Sequence, residues 1–187
     1  MVSMTTALLV MDFQNGIVER AGAPDVLATA ARAVAAARSH SIPVVFVRVA
    51  FRPGYPEVAA SNLSFSALAA SGGGMTEDDP ATAVHEAVAP LPGEVVLVKR
   101  RVSAFTGSGL DVLLRGLDAD TLVLAGISTS GVVLSTLRQA ADLDFRLTVL
   151  ADACADFDPE VHRVLTEKVF PRQATVTTAD EWAAGLA

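Results

Sequence analysis

"TLVLAGISTSGVVLSTLRQAADLD", residues 121–144, changes its periodicity midway, and that change decides the fold. Residues Thr121–Ala125 are an apolar Val/Leu run without polar alternation, as expected of a strand covered on both faces. From Gly131 onward "GVVLSTLRQAADLD" has its apolar residues at helical spacing. Between them Gly126, Ser128, Thr129, Ser130 and Gly131 crowd small residues into one turn. A buried strand that hands over directly to a helix is half of a βαβ unit, and βαβ units build parallel sheets.

The same alternation runs along the chain. Strands are expected at Ala7–Met11, Val44–Val49, Glu94–Val98, Leu147–Ala151 and Ala174–Thr177 as well. Helices are expected in "PDVLATAARAVAAARSH" (24–40), which opens on Pro24 and Asp25, and in "DPEVHRVLTEKVF" (158–170). The reading is an α/β fold, a mostly parallel sheet with helices on both sides, as a single domain over residues 1–187. Phe51–Pro80 is the exception. It is rich in Gly, Pro and Ser without sustained period, and a loop that long is expected to be functional, here a lid most flexible at Gly72–Gly74. The Ala-rich helix at 27–37 suits close packing, either on its own sheet or against a neighbouring subunit.

The totals narrow the function. Fourteen Lys and Arg against 21 Asp and Glu give a charge of −7, which disfavours nucleic acid and anionic membrane as partners. A single cysteine, Cys154, forms no internal disulfide and fits a reducing compartment. "MVSMTTALLVMDF" has no basic leader, and its apolar run is far below the roughly 20 residues of a membrane span, so a cytoplasmic protein is expected.

In parallel α/β sheets ligands bind beyond the carboxyl ends of the strands. Three such ends stand out: "MDFQNG" with Asp12, "VKRRVSAF" with Lys99, and "GISTSG". A carboxylate directly after a buried strand is partly desolvated, which raises its pKa and suits proton transfer, while a neighbouring Lys99 opposes that shift. Each has a plainer alternative. Asp12 is equally suited to capping a turn, and Lys99-Arg100-Arg101 to a solvated strand end. The 126–131 turn fails the nucleophile-elbow spacing, having Ser where the second Gly belongs. No phosphate loop or full dinucleotide fingerprint is present, and "GSGL" (107–110) reads as a turn. His40, His85 and His162 fall in expected helices without ligand spacing, and Cys154, past the fifth strand, reads as a small buried apolar residue.

Taken together and in order, "LLVMDFQNG" (8–16), "VLVKRRVSAF" (96–105) and "LAGISTSGVVLSTLRQAADLDF" (124–145), followed by "DACADFDPEVH" and "VFPRQATVTTADEW", resemble the isochorismatase-like hydrolases. That family includes isochorismatases, nicotinamidases and N-carbamoylsarcosine amidases. The resemblance implies a three-layer α/β/α fold with a six-stranded parallel sheet. In amidase members the turn reads Gly-x-x-Thr-x-x-Cys with a nucleophilic Cys, and matching Gly126 and Thr129 puts Val132 at that place. It further implies a cis peptide at Ile127–Ser128 and an oxyanion hole from the amides of Ser128 and Val132.

With no thiol, the thioester route is closed. The family's vinyl-ether cleavage needs none: Asp12 acts as general acid, and Lys99 holds the carboxylate or a substrate anion. Phe13, Ser128, Ser130, Val132 and Arg101 are the expected substrate-binding residues. Ser130 as a replacement nucleophile lacks a His placed near it. The Asp-x-His metal signature after the second strand is replaced by "VRVAFRPGY", so no metal and no other cofactor are expected. The expected partner is a small-molecule substrate with a vinyl ether or amide bond, and the expected assembly a homo-oligomer, dimer or tetramer. The alternatives are a non-catalytic small-molecule binding protein that retains the fold, and an amidase that uses Cys154.

Overall fold

A computed structural model describes residues 5–72 and 74–186. Met1–Met4 of the N-terminal stretch and Gly73 of the expected lid therefore lie outside the described residues.

Six parallel strands lie in the order β3-β2-β1-β4-β5-β6: β1 Thr5–Met11, β2 Val44–Val49, β3 Val95–Lys99, β4 Ala119–Ile127, β5 Arg146–Ala155 and β6 Thr175–Thr177. β1 is central because its Ala7–Met11 run buries both faces. Leu8 and Val10 join one core with Ala30, Ala33, Val34 and Ala37 of α2 (Pro24–Ser39). Ala7, Leu9 and Met11 join the other, with Leu110 and Leu114 of α4 (Leu110–Gly116) and Leu137 and Ala140 of α5 (Leu134–Asp142). Two cores on opposite faces of one sheet are the three layers expected. The small-residue face of α2 is thus spent on its own sheet. Among the described residues no helix is long and apolar enough to cross a membrane.

Several local expectations change. α1 (Asn15–Ala21) follows β1 at once, where no helix was expected, and ends at Gly22 in the left-handed conformation (φ 58°). The 51–80 segment carries its own helix, α3 (Leu63–Ala70), started by the Asn62 side chain accepting from Phe65 N at 3.1 Å. It is tied back by Phe51 N donating to Met75 O at 2.8 Å. His85 starts a 3₁₀ turn, Glu86–Val88, and His40 follows the last residue of α2; only His162 is helical, in α6 (Pro159–Val164). β5 continues four residues past its expected end, because the carboxylate of Asp152 accepts from Ala179 N (2.8 Å) at the start of α7 (Ala179–Ala184). Cys154 is accordingly within β5, in register with Gly126, and not beyond it.

Gly126 is required by packing. A Cβ there would come 2.9 Å from Met11 O and 3.2 Å from Val133 Cγ2, so only Gly lets β4 lie this close to β1 and to the turn after it.

Candidate active site

The strand order reverses direction between β1 and β4, so their carboxyl ends diverge and leave a crevice there. Asp12 leaves β1 with φ 59°, a left-handed conformation that Asp tolerates better than most residues, and its amide stays bonded to Val47 O at 2.8 Å. Gln14, fully buried, then fastens this end to β2: its Oε1 accepts from Val49 N (2.8 Å) and its Nε2 donates to Val49 O (2.8 Å) and Thr82 O (3.1 Å). Swapping both main-chain groups of Val49 onto one amide fixes where Asp12 faces.

Lys99, the last residue of β3, reaches back beneath this crevice. Its Nζ is 2.9 Å from Asp12 Oδ2 and also donates to Arg101 O (3.0 Å) and Val102 O (2.9 Å). The side chains of Lys99 and Asp12 are 2% and 6% exposed, so this is a buried ion pair whose ammonium uses all three donors. Asp12 Oδ1, by contrast, is buried without a hydrogen-bond partner among the described residues. Burial pushes the Asp12 carboxyl above its ordinary value, and the neighbouring ammonium of Lys99 opposes the rise.

The third component is the turn after β4. The peptide Ile127–Ser128 is cis, and Thr129–Val133 form a single π-helical turn before α5. Ser128 caps it, with Oγ accepting from Gly131 N (3.1 Å) and its carbonyl from Gly131 N (3.2 Å) and Val133 N (3.3 Å). Ser130 N donates to Asp156 Oδ2 (2.7 Å). Behind the turn, Thr129 Oγ1 meets His162 Nδ1 at 2.8 Å; burial lowers the pKa of this half-buried imidazole, against the opposing charge of Asp156.

Asp12, Lys99, Ser128 and Val132 line one cavity of about 340 Å³, walled by Ile17, Val49, Phe65, Leu68, Met75 and Val102, with Arg20 and Phe157 also on its lining. The structure therefore brings together four of the residues expected at the site. Three expected there lie elsewhere. Phe13 packs into the core beneath α1, and its carbonyl accepts from His85 N. Ser130 is exposed, and its main-chain amide is bonded to Asp156. Arg101 donates to the carbonyls of Arg100 (2.6 Å) and Glu57 (2.8 Å), while Arg100 pairs with Glu57 (3.3 Å) and Glu77; the two arginines thus pin the 51–80 segment to the end of β3.

Cys154 lines a separate hollow of about 300 Å³ with Val26, Asp152 and His162, and burial pushes its thiol up to about 12. Among the described residues no three His, Cys, Asp or Glu side chains gather as a metal-ligand set.

Known proteins share much of this sequence and this fold. The sequence pattern of the Isochorismatase domain matches residues 6–181. The isochorismatase family protein YecD of Escherichia coli O157:H7 is 34% identical over 188 residues, covering 95% of this chain and 94% of the relative. Maleamate amidohydrolase of Pseudomonas putida is 33% identical over 181 residues, covering 94% and 84%. The crystal structure of an isochorismatase family protein from Desulfovibrio vulgaris subsp. vulgaris str. Hildenborough matches with a TM-score of 0.88 at 29% identity, covering 98% of this chain and 99% of that one. With a parallel six-stranded α/β/α frame and a domain match spanning nearly all of it, this chain belongs to the isochorismatase family of hydrolases.

Proposed function

We propose that this chain is a thiol-independent hydrolase of a small metabolite, in which Asp12 moves the proton and water is the nucleophile. The observation that carries this reading is the buried Asp12 carboxyl, one oxygen held by Lys99 and the other without a partner in a largely apolar cavity. A carboxyl raised by burial is protonated over a wider range of pH and can act as a general acid. Lys99 stabilises the carboxylate left behind after proton transfer.

For a vinyl ether the steps balance as follows. The proton on Asp12 passes to the terminal vinyl carbon, whose π pair forms the new C–H bond, and the cation left beside the ether oxygen is captured by water. The captured water returns its extra proton to Asp12, and the hemiketal collapses to a carbonyl compound and an alcohol. In this reading the backbone amides of Ser128 and Val132 bind the developing or permanent oxyanion, a role that does not depend on the side chain at 132. On the family resemblance, Val132 takes the place at which amidase members carry their nucleophilic Cys. Amide cleavage, suggested by the activity in the name of the maleamate amidohydrolase relative, would proceed through the same carboxyl and water. Val132 also supports the second reading, a binding protein without turnover.

A panel of vinyl ethers and primary amides, offered to the protein before and after iodoacetamide treatment, separates these readings. Native Cys154, buried and with a thiol near 12, is expected to resist alkylation at pH 8 and to react only once the chain is unfolded. Turnover of at least one vinyl ether, unchanged by the reagent, is expected. Activity confined to amides and abolished by alkylation would instead assign the chemistry to Cys154, and recovery of every ligand intact would assign a binding role.

A further inference from the structure

Three charged side chains line the Asp12 cavity: Asp12, Lys99 and Arg20. The ammonium of Lys99 already serves Asp12 and two carbonyls, so it has no donor left for a ligand. The other nearby cations, Arg100 and Arg101, are turned to the 51–80 segment. Arg20 differs from both. It is an exposed residue in the last turn of α1, and its guanidinium carbon lies 5.3 Å from the centroid of the Phe157 ring, just beyond β5. A cation–π contact over a ring face holds a guanidinium without using its N–H donors, which remain for a carboxylate.

The electrostatics agree. Lys99 offsets the Asp12 carboxylate whenever it is ionised, so the lining keeps a local positive charge from Arg20 on a chain whose net charge is −7. An anion approaching this protein is repelled at long range and attracted locally. Most of the remaining lining is apolar, including Ile17, Phe65, Leu68, Met75 and Val102.

We infer that Arg20, held over the Phe157 ring, forms a carboxylate subsite on the open side of the cavity, so that its ligands are small monocarboxylates with an apolar body extending toward Asp12. In calling those ligands substrates the inference rests on the proposed hydrolysis, but its test reads binding alone and needs no turnover.

Calorimetric titration with cyclohexanecarboxylate and with cyclohexanecarboxamide compares a charged and a neutral head on one body. The wild-type protein is expected to bind the carboxylate about tenfold more tightly, a preference that narrows as salt is raised. Arg20→Gln, at an exposed position, removes the preference and retains carboxamide binding. Phe157→Leu, which keeps an apolar side chain but loses the ring face, reduces the preference about threefold. Equal affinity for the two ligands in the wild type, binding of neither, or a preference undiminished in Arg20→Gln overturns the inference.

Discussion

Asp12→Asn is expected to lower kcat by about 10²- to 10⁴-fold on any substrate the wild type turns over, the range typical for loss of a positioned general acid. Asn preserves the shape of the side chain and a partner for Lys99, but its amide cannot give a proton and take one back. The ammonium of Lys99 then lacks its counter-charge, so some stability is lost too, and circular dichroism with ligand titration must accompany the rate measurement. A folded Asp12→Asn protein that binds ligand yet has lost turnover is the expected result. Wild-type turnover by that variant would remove the carboxyl from the chemistry.

Lys99→Met is expected to have the largest effect on stability. Removing one member of a buried pair leaves the other charge unpaired, at a cost of about 3–5 kcal/mol. The cost depends on pH. Burial already raises the pKa of Asp12, and without Lys99 it rises further. Because the folded state then holds its proton more tightly than the unfolded chain, this group's contribution is most favourable at acid pH. It declines as pH rises from the ordinary carboxylate value of 3.8 through the folded value. Urea denaturation should therefore find the variant further below the wild type at pH 8 than at pH 5. The double variant Asp12→Asn/Lys99→Met, which buries no charge at this point, should recover part of the loss. Additive losses in the double variant would mean that the two side chains are not coupled.

The parallel sheet was legible because most of its strands are short Val- and Leu-rich runs without polar alternation, as in a sheet covered on both faces, and Gly126 and the cluster of small residues after it marked where β4 turns. Asp12 and Lys99 stood out as charges ending such runs. What was not legible came from contacts distant in sequence. Asp152 interrupts the apolar run of β5, so the strand was expected to stop at Ala151; its carboxylate is satisfied by Ala179 N, and the strand continues to Ala155. With that strand end misplaced, Asp156 and Phe157 were not recognised as strand-end residues, although they meet the turn and the cavity. Gln14 was in plain view after Asp12, yet its role depends on Val49 and Thr82, which no local pattern links to it. Arg101 was expected to orient the ligand; the Glu57 carbonyl that captures it belongs to a segment whose helix, α3, has no sustained apolar period.

The pH dependence of kcat tests the role of Asp12 most directly. If the protonated carboxyl is the working form, kcat is constant at acid pH and falls as pH rises through one ionisation whose midpoint lies above 3.8, the direction in which burial moves this group. A rate that instead climbs with pH through that ionisation, or ignores it altogether, would contradict proton donation by Asp12.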